Sequence, residues 1–341
     1  MKPVALHGHM KPVTMVRFNV EGDIVFSTSK ERRGVSAWYT ATGKRLGIFE
    51  GHQSVAHCDV NRSTTILATA GFDLKTILWD VETGAQLNCI EQPAPCRCVE
   101  FGHGDRQLLA VNDKKMGQPA SIHIYNLPTS LGRDPVKTQF NPTQTFTSSE
   151  EICSAAWGPT NDTIYFSSVD GTVCILDVET NKEIATAFPH NDEVRKIHFD
   201  PNYYTLITAS KDKSAKLLDA RNLKVVQTYQ NDLPVNDAAI SPTGDQVIIG
   251  GGTEAQDVTT TGGQSKFEVK FHHKVYGDLL GSMRCHFGTI NALAWHPSGK
   301  GFCSGAVDGF VKINTFDENY YSSPGASSMW TKPEAAAEVE Q

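Results

Sequence analysis

The feature that most constrains this chain is a set of marks that keeps returning. The stretch from Gly51 to Asp80 opens with Gly-His, closes with Trp79-Asp80, and carries Asp73 six residues before the Trp. Slid along the chain, the same template recurs. Gly8-His9 opens a first copy that closes at Trp38-Tyr39, and a weaker copy ends near Tyr125-Asn126. Another has Asp170 and Leu176-Asp177, another His190, Asp212 and Leu218-Asp219, and the last His286, Asp308 and Asn314-Thr315. Where both survive, the His precedes the Asp by 21 or 22 residues, and the Asp precedes the closing pair by six and seven. The one long gap, between the closures at 219 and 315, holds a degenerate copy around Val235 to Phe271, so the count is seven. Units of this size cannot bury a hydrophobic face alone, and they become stable by stacking on one another.

Within a copy the pattern is that of β-structure. Val194 to Phe199, Thr205 to Ala209, Ala215 to Leu218 and Lys224 to Thr228 are short runs, most with β-branched or aromatic residues, punctuated by Asn, Asp, Lys or Pro. No window of a dozen residues shows clear helical periodicity. Four short strands per copy, with Gly-His and Trp-Asp marks, are the signature of a propeller blade. The predicted fold is all-β: a seven-bladed WD-repeat β-propeller over residues 1–321, followed by a disordered C-terminal tail over 322–341, rich in Ser, Pro, Ala and Glu. A ring must also close. Val4 to Leu6 reads as a strand, and the last copy is short of strand residues after Thr315. The N-terminal strand is therefore expected to pair with Phe310 to Ile313 as the outer strand of the last blade, removing an open edge.

The marks have a physical role. A His, a Ser or Thr on the second strand, the turn Asp and the Trp can form a buried hydrogen-bond relay. The expected sets are His52, Thr69, Asp73 and Trp79 in the second blade; His190, Thr208 and Asp212 in the fifth, with Leu218 in place of Trp; and His286, Ser304 and Asp308 in the seventh, with Asn314 in that slot. A buried polar group without its partner costs about 1–3 kcal/mol, so the residues must occur together. A catalytic Ser-His-Asp triad is the competing reading, and repetition argues against it, because an active site occurs once.

Several other features carry little. Gly250 to Ala255 fits G-x-G-x-x-A, but the Asp257-Val-Thr-Thr-Thr run that follows is not helical, so a dinucleotide site is not expected. His272 and His273 are adjacent, and on a strand they point to opposite faces, one buried and one exposed. Lys30-Glu-Arg-Arg33 reads as a solvated basic turn, with a contact to RNA or to an acidic protein surface as the alternative. The eight cysteines lie mostly in apolar runs, as reduced thiols in a cytoplasmic protein would, and no metal site is expected. No apolar run reaches membrane-span length, and MKPVALHGHM is too short and polar for a signal sequence. The net charge of −7 argues against direct RNA or DNA binding.

Beyond the repeats, four segments resemble subunit i of the eukaryotic translation initiation factor three complex. They are GGGTEAQDVTTT (Gly250 to Thr261) with SKFEVKFHH to His273; HFGTINALAWHPSGKGFCSGAVDGFVKI (His286 to Ile313); MKPVALHGH with RFNVEGD (Arg17 to Asp23); and RLGIFEGH (Arg45 to His52). The resemblance runs over about residues 1 to 321, and departs at Thr261 to Gln264 and in the tail. It implies a cytoplasmic, non-catalytic scaffold without cofactor. Such a subunit is expected to bind subunit b, through that subunit's C-terminal segment, and subunit g, and to support pre-initiation complex assembly on the small ribosomal subunit and mRNA. The expected docking region is the flank of the fifth and sixth blades, with Asp219, Tyr229, Asp232 and Asp237 as candidate contacts and the Lys266 to Phe271 strand nearby. The alternative is a generic WD-repeat adaptor, such as a receptor-kinase-associated or RNA-assembly propeller. A propeller enzyme would need a unique cluster of acids or histidines at the ring mouth.

Overall fold

A computed structural model describes residues 2–115, 117–128, 140–243, 245–253 and 267–317. The 322–341 tail and the Asp257 to Thr261 run lie outside the described residues. The described chain contains strands and turns and no helix. It forms seven four-stranded antiparallel sheets. Six of them are built from strands consecutive in sequence, from the inside of the ring outward. The second blade, for example, runs Val55–Val60, Ile66–Gly71, Lys75–Asp80 and Gln86–Glu91.

The seventh sheet is the exception, and it closes the ring. Its inner three strands are Ile290–Trp295, Gly301–Ala306 and Val311–Thr315, and its outer strand is Lys2–Leu6. The first and last described strands pair antiparallel, with Val4 opposite Ile313 and Leu6 opposite Val311. The expected closure is therefore present with its bounds shifted: Phe310 lies outside the strand, which starts at Val311 and runs past Ile313 to Asn314 and Thr315. The degenerate sixth copy is a full blade as well: Val235–Ile240, Gln246–Gly251, Glu268–His273 and Leu279–Arg284. Its fourth strand lies beyond the Phe271 limit read from sequence.

Burial follows position in the ring. The second strand of the second blade, ILATAG, is buried at every residue, because neighbouring sheets cover both of its faces. Outer strands are largely exposed, as in Lys182–Ala187. Blades are also stitched by polar groups at the axis. Carboxylates on the inner strands accept backbone N–H groups of the next blade: Asp59 from Phe101 at 2.8 Å, Glu100 from Trp157 at 2.8 Å, and Asp237 from Leu293 at 2.7 Å. The indole N–H groups of Trp157 and Trp295 donate to the carbonyls of Glu100 and Ala239 in the preceding blade.

Each inner strand carries a register shift at its second residue. A bulge of this kind re-aims a side chain without ending the strand. The shifted residues are Thr14, Ala56, Arg97, Cys153, Arg195, Asn236 and Asn291, one per blade, and all seven line a single cavity at one mouth of the central channel.

One detail corrects the sequence reading. His272 and His273 are both buried. His272 Nδ1 donates to the carbonyl of Gly277 at 3.1 Å, while His273 Nδ1 accepts the N–H groups of Val275 and Tyr276. The following turn folds back over the strand end and covers the ring that alternation would have left in solvent.

Candidate functional site

The marked histidines precede the inner strands, and the marked acids sit in the turn between second and third strands, so both lie on one face of the ring. In the second blade His52 Nδ1 lies 2.9 Å from Asp73, and Nε2 lies 2.8 Å from Thr69 Oγ1. The carboxylate can only accept, so Nδ1 carries the proton, and Nε2 accepts from the threonine hydroxyl. Trp79 Nε1 donates to the same hydroxyl at 2.8 Å. Asp73 also accepts the N–H of Gln53. Burial alone would raise the Asp73 carboxyl, but the hydrogen bonds from His52 and Gln53 bring it below its ordinary value.

The fifth and seventh sets are assembled in the same way. His190 lies 2.8 Å from Asp212 and 2.7 Å from Thr208, and His286 lies 3.1 Å from Asp308 and 2.8 Å from Ser304. Leu218 and Asn314 occupy the positions that pair in register as Trp79 does. Asn314 makes no hydrogen bond to Ser304, and its amide nitrogen has no partner among the described residues.

Two relays escaped the sequence reading. In the first blade His9 Nδ1 meets Glu31 at 3.0 Å, Nε2 meets Ser27 at 2.7 Å, and Trp38 donates to Ser27 at 2.8 Å. Glu31 therefore stands in for the aspartate, inside the segment read as a basic turn. Its signal was available, since it follows His9 by 22 residues. In the third blade Gln92 replaces the histidine, accepting from Asn112 at 3.0 Å and Tyr125 at 3.2 Å. No His marks that position, so the template had nothing to find.

The candidate partner contacts divide. Asp232 is exposed, with 91 % of its side chain accessible, and pairs with Lys270 Nζ at 2.9 Å. Asp219 binds Arg221 at 3.2 Å in the turn after the third strand of the fifth blade. Tyr229 and Asp237 do not sit on the flank surface, and this corrects the sequence reading. Tyr229 is 0 % exposed, and its hydroxyl donates to the Lys274 carbonyl at 2.6 Å, tying the fifth blade to the sixth. Asp237 is 0 % exposed at the channel, held by His198 at 2.8 Å and by the Leu293 N–H. Sequence proximity grouped residues that the ring sends to different radii.

What the flank does present is apolar. Val225 and Val226 on the outer strand of the fifth blade are exposed, as are Val275, Tyr276 and Leu279 at the turn into the outer strand of the sixth. Gln227 Nε2 donates to the Val275 carbonyl at 2.8 Å and joins the two groups into one strip.

The channel holds a separate set of charges. Arg17 pairs with Asp59 at 2.9 Å. Burial, with Asp59 beside it, pushes the Glu100 carboxyl up to about 8, and Arg17 opposes the shift. Burial and the nearby Lys196 and Arg17 charges hold His57 well below the ordinary histidine value. Among the described residues no group of three His, Cys, Asp or Glu side chains is placed to hold a metal ion. No described helix is long and apolar enough to cross a membrane.

Seven sheets in a closed ring, with His-Ser/Thr-acid relays recurring on one face, define a WD-repeat β-propeller. The EIF3I family model matches residues 1–323. A protein of Schizosaccharomyces pombe named eukaryotic translation initiation factor 3 subunit I is 36 % identical over 326 residues, covering 94 % of this chain and 98 % of its own. Proteins of the same name from Debaryomyces hansenii and Culex quinquefasciatus are 39 % and 37 % identical, each over 94 % of this chain and over 95 % and 98 % of their own. The chain belongs to the EIF3I family, that of subunit I of eukaryotic translation initiation factor 3.

Proposed function

We propose that this chain is a non-catalytic, cytoplasmic scaffold subunit of the translation initiation factor three complex. It holds subunit b, by that subunit's C-terminal segment, and subunit g, and so supports pre-initiation complex assembly on the small ribosomal subunit and mRNA. Family membership supports the complex. The apolar strip on the flank of blades five and six is the observation that supports the contact with subunit b. Val225, Val226, Val275, Tyr276 and Leu279 are 46–61 % exposed, with Asp232 and Asp219 at the two ends of the same flank. An amphipathic segment with an apolar stripe and basic neighbours matches that surface in shape and charge. Asp219 and Asp232 act here as rim charges that set orientation, and the apolar strip supplies most of the affinity.

The test is capture of the purified C-terminal segment of subunit b by the full chain. Val226→Asp is expected to weaken capture by about tenfold or more, since a charge would be buried against an apolar partner. Asp232→Arg is expected to weaken it less, because the site is solvent-exposed. Both side chains point to solvent, so thermal stability should stay with the parent. Undiminished capture by Val226→Asp would remove this flank from the interface.

A further inference from the structure

The seven bulge residues open onto a cavity of about 550 Å³ at the channel mouth, on the face that carries the relay histidines. Its charges are uneven for a chain of net −7: among the described residues Lys30, Arg97, Arg195 and Lys196 line it, with Glu193 as the one acid. Arg97 is already answered by Asp113 and Glu151. Arg195 donates to Asn236 at 2.8 Å and lies 3.8 Å from Glu193. The two lysines are different. Neither Lys30 nor Lys196 has a carboxylate within ion-pair distance among the described residues. Lys30 sits 6.0 Å from the Phe72 ring, and the hydrogen-bond partner of Lys196 is the thioether of Met15 at 2.8 Å. A thioether is a weak acceptor. Asp237, the acid whose field reaches Lys196, is committed to His198 and to the Leu293 N–H. The same face carries large apolar side chains in solvent: Met10 after the first relay histidine, 94 % exposed, and Phe287 after the last, 87 % exposed. Phe72 and Val307 at the rim of the cavity are also exposed.

We propose that this mouth is a docking site for an acidic peptide segment of a partner protein. A carboxylate of the segment enters the cavity between Lys30 and Lys196, and apolar side chains next to it settle on Phe72, Val307 and the exposed Phe287 and Met10 side chains of blades seven and one. Charge complementarity selects the acid, and the aromatic and aliphatic rim supplies the buried area. A nucleic-acid strand fits less well. It needs a track of cations for successive phosphates, whereas this cavity is a single well with Glu193 in its wall. The site is distinct from the flank of blades five and six, and it does not depend on that flank's assignment.

The experiment selects a phage-displayed library of twelve-residue peptides on the full chain and, separately, on Lys30→Glu and Lys196→Met. A fluorescein-labelled copy of the most enriched peptide, its Asn/Gln counterpart and a labelled twelve-nucleotide single-stranded RNA are then compared by anisotropy. The expected result is enrichment of Asp or Glu next to aromatic or aliphatic residues. Affinity should fall by about tenfold in the amide peptide and by about fivefold or more in each lysine variant, with Val226→Asp unaffected. Lys30 is exposed, so its substitution keeps the reading clear even if the channel variant loses stability. Enrichment without acids, equal binding of the amide peptide, binding indifferent to Lys30→Glu, or RNA binding tighter than the peptide would each overturn the proposal.

Discussion

The hydroxyl of Thr69 serves three neighbours at once. It meets His52 Nε2, receives the indole N–H of Trp79, and lies 3.2 Å from the Ile77 carbonyl. Thr69→Val keeps the shape and removes the hub, leaving two buried nitrogens without a partner. The expected loss is about 1–3 kcal/mol, read from denaturant unfolding. Thr208→Val in the fifth blade should cost less, because Leu218 fills the Trp position there and no indole N–H is stranded. Glu100 gives a prediction in pH. Its folded value of about 8 lies above the ordinary 4.5, so the group stabilises the fold fully below 4.5 and the contribution is lost as pH rises through 8. Glu100→Gln keeps an acceptor for the Trp157 N–H and carries no charge. The variant should therefore melt above the parent at pH beyond 8, and the gap should shrink or reverse toward pH 4.5. Residue identity was legible where spacing repeated, as for His190, Thr208 and Asp212. It was hidden where chemistry was substituted, as for Glu31 and Gln92, because a template of residue types does not see an equivalent hydrogen bond.

At the scale of the strand, the pairing of Lys2–Leu6 with Val311–Thr315 decides whether the last blade has a fourth strand. Leu6 is fully buried among residues of the first and last blades, including Val311 and Ile313. Leu6→Ala is expected to cost about 2–4 kcal/mol through the cavity it leaves, measured by thermal or urea unfolding. Removing residues 2–6 should do more, because the Val311–Thr315 strand would then offer unpaired backbone groups to another molecule. Light scattering is expected to show concentration-dependent association of the truncated chain and none of the full one. The closing strand could be read from sequence because the last copy was short of strands while the first began with a spare one. The bulges could not be read. Thr14, Ala56, Arg97, Cys153, Arg195, Asn236 and Asn291 have no residue type common to all seven, and only the register of the finished sheets reveals that they occupy one position.

At the scale of the ring, the architecture was legible because repetition survives the loss of individual marks: a missing His or Trp in one copy is covered by its neighbours. The flank of blades five and six was named from the sequence, but which of its residues face outward was not legible, and the reason is physical. Val225 and Val226 fall in the run Lys224 to Thr228, which reads only as a strand, and the preference of valine for strands does not say whether that strand is covered. In the structure they lie on an outer strand, about half exposed. Conversely, Tyr229 and Asp237 read as polar flank residues and are buried, one between blades and one at the axis. The ring separates three radii that the chain visits every few residues, so neighbours in sequence serve different ends. The pairing of the first strand with the last also sets a timetable. Leu6 leaves the ribosome early, and its pairing partner Val311 is made only after roughly 300 further residues, on the order of tens of seconds at cellular synthesis rates. Until then the first strand must wait unpaired while the blades behind it form.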